Sequence, residues 1–166
     1  MGDFMGDFME KFIMNPIGRI ENKGDECCIV LEKRYAEGLR GLKDFSHVQV
    51  FWWFDKCDNS ACRENLVEQK PYRNSPQELG VFATRSPLRP NPIAVTTAGI
   101  TFIDESNGIV GIGFIDADDG TPVLDLKPYT PSLDRIENPS VPQWCSEWPK
   151  SLEESADFDW SSVFNF

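Results

Sequence analysis

The chain has 166 residues, 40% of them hydrophobic and 26% charged, with a formal net charge of −11. That length and composition suit one domain with a proper core and exclude a surface that attracts polyanions everywhere, so any RNA contact has to come from a local basic patch. Five cysteines without a CxxC pair, beside a single imidazole at His47, predict no metal site and read as reduced thiols packed as small apolar groups.

The start, MGDFMGDFMEKF, lacks a basic segment followed by an apolar one, and no run is long and apolar enough for a membrane helix. Residues 1–13 are therefore expected to be a flexible extension, and the protein to be cytoplasmic. Cys28–Leu31 and Val48–Phe54 are dense in β-branched and aromatic residues between polar turns, which predicts buried strands. Between them Ala36, Leu39, Leu42 and Phe45 recur every third residue, predicting a short helical turn. Ile93–Asp104 and Ile109–Asp116 flank Asn107-Gly108, a dipeptide expected to supply the positive φ values of a tight hairpin. Strands at short spacing with little helix favour a mainly β fold, a small barrel or sandwich, over a doubly wound sheet. Residues 136–166 form an acidic tail whose Trp144, Trp148, Phe158, Trp160, Phe164 and Phe166 are too aromatic for a solvated linker. The tail is expected to pack on the domain or on a partner subunit.

Two segments carry candidate chemistry. Gly80–Pro92 holds Arg85, Ser86, Arg89 and Asn91 among three prolines. Proline fixes φ and restricts the residue before it, so this is a stiff, extended loop whose arginine forks suit a carboxylate or phosphate. From Arg63 to Arg89 five bases face three acids, whereas from Thr130 onward seven acids face two bases; a negative ligand would approach the former stretch. The second segment, Asp116–Tyr129, places Asp119-Gly120 for a turn and Thr121-Pro122 before an extended run, with Val123, Asp125 and Lys127 expected on one side and Asp125 meeting Lys127. Neither GxGxxG, GxxxxGK[ST] nor GxSxG occurs, which disfavours a Rossmann cofactor site, a P-loop and a serine-hydrolase elbow.

Taken in order, Pro16–Ile20, Ala36–Leu42, Phe45–His47, Gly80–Ile93 and Asp119–Tyr129 resemble the TsaA-like, or TrmO, family over about residues 14–135. The resemblance implies a non-Rossmann β-barrel methyltransferase that uses S-adenosyl-L-methionine and is usually a homodimer with the cofactor near the subunit interface. Its reaction would methylate N6 of threonylcarbamoyl-adenosine beside the anticodon of tRNA. Carried over by motif, Arg85, Ser86, Arg89 and Asn91 would hold the cofactor and nearby substrate groups. Phe82 and Leu124 would wall its adenine or methionine portion, while Asp119, Thr121 and Asp125 would accept from its hydroxyl or amino groups. His47, Lys127 and Tyr129 are the acid–base candidates. A small-molecule acceptor and a non-catalytic cofactor-binding module are the alternatives left by the same motifs.

Overall fold

Residues 12–24 and 26–165 are described by the structure, a computed structural model; the expected N-terminal extension lies almost wholly outside them. Among the described residues there are eight strands: β1 (Gly18–Lys23), β2 (Glu26–Leu31), β3 (His47–Trp53), β4 (Val67–Gln69), β5 (Glu78–Gly80), β6 (Ile93–Asp104), β7 (Ile109–Ile112) and β8 (Pro122–Pro128). Six of them close into a barrel in the order β1-β2-β7-β6-β3-β8, and β4 and β5 form a separate two-stranded ribbon. Closure removes the free edges that an open sheet of this size would expose.

Alternation along the strands fills the barrel. In β3, Val48, Val50 and Trp52 point inward and meet Ile20, Ile29, Val110 and Val123, all of them fully buried except Trp52, which is nearly so. The Trp52 indole donates to Thr96 Oγ1 at 3.0 Å, which satisfies its polar atom inside the wall. His47, Gln49, Phe51 and Trp53 face outward.

Three expectations are adjusted. The β6–β7 pairing forms as an antiparallel hairpin, yet only Gly108 takes a positive φ, of 69°, and Asn107 does not. The turn is instead organised by Asp104, whose carboxylate accepts from the Asn107 backbone N–H, the Asn107 side chain and the Ser106 hydroxyl. The second strand of this hairpin ends at Ile112 rather than Asp116: after one further bond from Gly113 N to Gly99 O, the chain leaves the sheet and Ile115 turns into the core. Finally, Val123 does not share a face with Asp125 and Lys127. Trp52 pairs with Val123 while its neighbour Phe51 pairs with Asp125, so Leu124 is an extra, bulged residue. The bulge keeps Val123 and Leu126 opposite the inward Trp52 and Val50, and turns Asp125 and Lys127 out beside Phe51 and Gln49.

The three-residue spacing of Ala36, Leu39, Leu42 and Phe45 belongs to two 3₁₀ turns, Lys33–Leu39 and Leu42–Asp44, joined at Gly41. Three residues per turn is the period of that helix, and it buries Leu39 and Leu42 on one side. Short α-helices follow at α1 (Ser60–Glu64), α2 (Pro131–Asp134) and α3 (Leu152–Ala156). Among the described residues no helix is long and apolar enough to cross a membrane, and no group of three or more His, Cys, Asp or Glu is placed to hold a metal ion.

The tail returns to the body of the domain. Tyr72 stacks on Trp144 at 5.3 Å and meets Trp148 and Phe164 edge-on or tilted, while Trp148 meets Trp160 at 5.5 Å. Arg73 donates to the carbonyls of Phe164 and Ser161, and Asn165 to those of Pro71 and Lys70. Ordered aromatic contacts of this kind contribute about 0.5–1.5 kcal/mol each beyond their area, enough together to hold a segment that has little regular structure.

Candidate functional site

The proline-braced loop begins at β5, makes one 3₁₀ turn at Val81–Ala83 and runs without regular structure to β6. Its shape is held from within. Arg89 donates through Nε to Ser86 O at 2.6 Å and through Nη2 to Val81 O at 3.0 Å and Thr84 O at 2.7 Å. Ser86 Oγ accepts from Leu88 N at 3.1 Å, and Thr84 Oγ1 accepts from Ser86 N and donates to Val81 O. The half-buried Arg89 is thus a clamp that ties three carbonyls of its own loop. Arg85 is exposed, and its guanidinium makes no hydrogen bond or ion pair among the described residues. Phe82 stands 83% exposed on the preceding turn, an aromatic face without cover, and the Asn91 carbonyl accepts from Ile93 N at 2.7 Å.

The second loop, residues 116–121, closes on β1. Gly120, at φ 84°, donates to Ile20 O at 2.8 Å, Ile20 N donates to Thr121 O at 2.9 Å, and Asp119 Oδ1 accepts from Asn22 N at 2.9 Å. Thr121 and Leu124 are buried. One carboxylate oxygen of Asp119 therefore serves the fold, and the other has no hydrogen-bond donor among the described residues.

A segment that sequence reasoning passed over joins these loops. Just beyond β3, Phe54 N donates to Pro92 O at 2.8 Å. Lys56 pairs with Asp118 at 2.7 Å, which raises the lysine pKa, and Arg63 of α1 donates to Pro90 O at 2.9 Å. Asp58 holds Arg63 at 2.6 Å and accepts from the Trp53 indole; both partners pull its carboxyl below the usual range. One short connection thereby fixes the arginine loop and the aspartate loop relative to each other. The only hint in the sequence is the alternation of Asp55, Lys56, Asp58 and Arg63, which does not say what lies across from it. Cys57 and Cys62 touch within this connection, and burial pushes the Cys57 thiol up.

The basic stretch is largely engaged in structure. Arg63, Arg73 and Arg89 all donate to backbone carbonyls; Arg63 is also paired with Asp58, whereas Arg73 and Arg89 are ordered without a carboxylate partner, as Lys70 and Arg85 also lack one among the described residues.

The acid–base candidates form a second group. Asp125 and Lys127 pair at 2.7 Å, with the ammonium 5.7 Å from the Phe51 ring centroid. Tyr129 N donates to His47 O at 3.0 Å and the two rings lie 6.3 Å apart, while His47 Nδ1 sits 2.9 Å from Ser46 Oγ. His47 opens β3 and the Phe54–Pro92 contact follows its end, so seven residues of strand put about 20 Å between the imidazole and the braced loop of the same chain. One chain links the arginine and aspartate loops through Lys56 and Arg63, and it brings His47 and Tyr129 together elsewhere, with the Lys127 ammonium beside Asp125 and Phe51.

A small closed barrel that carries a clamped arginine loop, joined to an aspartate loop, defines a β-barrel protein without a Rossmann element among the described residues. The family model for the tRNA-methyltransferase O N-terminal domain matches residues 6–135, and the chain belongs to that family. It is 37% identical over 119 residues to an S-adenosyl-L-methionine-binding protein of Archaeoglobus fulgidus, covering 72% of this chain and 78% of the relative. It is 29% identical to the tRNA (adenine(37)-N6)-methyltransferase of Escherichia coli, covering 85% of this chain and 60% of that one. The crystal structure of TrmO from Pseudomonas aeruginosa superposes with a TM-score of 0.62 at 27% identity, over 80% of this chain and 62% of that one.

Proposed function

We propose that this protein is an S-adenosyl-L-methionine-dependent methyltransferase that modifies N6 of threonylcarbamoyl-adenosine beside the anticodon of tRNA. The observation that carries the reading is the uncommitted Arg85 guanidinium on a loop already clamped by Arg89, in a chain of this family. An arginine whose supporting backbone is preorganised loses little entropy on gripping a carboxylate. The cofactor supplies a methyl group activated by its sulfonium. Arg85 binds the amino-acid carboxylate, Phe82 covers an apolar face, and the free oxygen of Asp119 accepts from a hydroxyl or amino group. Orientation and exclusion of water account for most of the catalysis such a transfer needs, and His47 or Tyr129 serves the acceptor proton.

The separation of His47 and Tyr129 from the loops of the same chain favours a homodimer in which one protomer's loops face the other's acid–base group. Five free thiols accord with a cytoplasmic setting. The test is transfer of labelled methyl to tRNA from cells lacking the modification. Transfer by the wild type that is lost in Arg85→Ala is expected. No transfer under conditions where a known relative works would overturn the tRNA reading, and transfer to a metabolite fraction instead would replace it with a small-molecule acceptor.

A further inference from the structure

The Ala36–Leu42 segment has no part in the site described above, yet it builds a cavity. The two 3₁₀ turns, Lys33–Leu39 and Leu42–Asp44, border with β8 a half-open cavity of ≈ 470 Å³, within the range of about 300–1,000 Å³ typical of small-molecule sites. Leu39, Leu42 and Leu126 supply apolar lining, Tyr35 and Phe45 supply aromatic rings, and Asp125 and Arg40 supply charge. The Arg34 guanidinium lies 4.7 Å from the Tyr35 ring centroid and is itself held by Glu32, so the ring is backed by a fixed cation. Gly38 also lines the cavity, and a Cβ placed there would meet nothing within 4 Å.

We propose that this cavity receives one unstacked nucleobase of the acceptor RNA, a base with an exocyclic amino group. The inference rests on the RNA reading of the acceptor. Unpaired bases are held by aromatic faces together with cations that meet the flanking phosphates. Both are present: Tyr35 and Phe45 are among the residues lining the cavity, and Lys33 and Lys43, on the same two turns, have no carboxylate partner among the described residues. Among the described residues Asp125 accepts from Leu126 N and Lys127 alone, which leaves acceptor capacity for an amino group and disfavours a base that presents carbonyls alone. The cavity also lies at the His47–Tyr129 end of the barrel, since Phe45 and Pro128 line it, so a base seated there is beside the acid–base candidates.

The test uses the full chain and a synthetic RNA hairpin of anticodon stem-loop size, with binding followed by fluorescence anisotropy. Gly38→Leu adds a bulky side chain at the cavity lining without backbone strain, and Tyr35→Ala removes one aromatic wall. Each is expected to weaken the hairpin by about tenfold or more, with cofactor affinity measured by calorimetry unchanged. Replacing the target loop residue with an abasic one should weaken wild-type binding to the same extent and weaken Gly38→Leu no further. Hairpin affinity equal to wild type in both variants, or an abasic penalty that adds in full to that of Gly38→Leu, overturns the proposal. Methylation of tRNA that is unimpaired in Gly38→Leu removes the pocket and leaves the methyltransferase; cavity-dependent hairpin binding without methyl transfer does the reverse.

Discussion

Arg85 and Arg89 sit four positions apart in one motif and do different work. Arg89 directs three donor contacts to carbonyls of its own loop, so Arg89→Ala leaves the Thr84 and Ser86 carbonyls short of a partner, while Val81 O keeps its bonds from Thr84, and releases the loop at a cost of about 2–4 kcal/mol. Arg85→Ala removes no contact that the fold uses. Thermal denaturation paired with calorimetric titration of S-adenosyl-L-methionine should separate them. Arg85→Ala is expected to keep its midpoint and bind the cofactor about tenfold or more weakly, whereas Arg89→Ala loses midpoint and affinity together. Equal loss of stability in both variants would mean that Arg85 also braces the loop. Sequence reasoning could assign arginine forks to this loop, but it could not divide the two roles, because which guanidinium turns inward depends on carbonyls brought round by the 3₁₀ turn at Val81–Ala83.

Among the elements, the β6–β7 hairpin offers a pH signature. Hydrogen bonds from Ser106 and Asn107 hold the Asp104 carboxyl down to about 2, from an ordinary 3.8. A depressed carboxyl stabilises the folded state fully above its ordinary value, and that contribution fades as pH falls through about 2. Urea unfolding of wild type and Asp104→Asn should therefore differ at pH 5, and the difference should shrink toward pH 2; a constant difference would place the effect in packing rather than in the carboxylate. The hairpin itself was legible because Asn107-Gly108 interrupts two apolar runs, and β3 because its aromatic and β-branched residues form an unbroken block. What was hidden is the non-local part. A bulge at Leu124 leaves the local alternation pattern intact and shows only when Phe51 and Trp52 choose their partners on β8. The Lys56–Asp118 pair and the Arg63 contact with Pro90 likewise join residues far apart in the chain, and neither end announces the other.

At the scale of the whole molecule, the tail is tied to the candidate site through Tyr72. This ring touches Trp144, Trp148 and Phe164, and burial raises its phenol pKa while the Arg85 backbone beside it works against that rise. The tail thus supports the braced loop from behind. Trp148→Ala, which removes ring contacts to Tyr72, Trp144 and Trp160, should cost about 2–4 kcal/mol of stability and weaken cofactor binding, measured by the same pair of thermal and calorimetric experiments. Unchanged affinity with lowered stability would show that the loop stands without the tail.

Barrel closure also constrains the order in which the chain can fold. β1 meets β2, and β6 meets β7, across turns of a few residues, whereas β1 meets β8 through only Gly18 with Val123 and Arg19 with Pro122. Contacts between such distant segments form after the local ones, because loop-closure entropy must be overcome first. This narrow seam, where Pro122 brings no N–H, is also where Gly120 and Thr121 bond to Ile20. A nascent chain can assemble its hairpins while the aspartate half of the proposed site does not yet exist, and that half takes shape with the last stitch of the barrel.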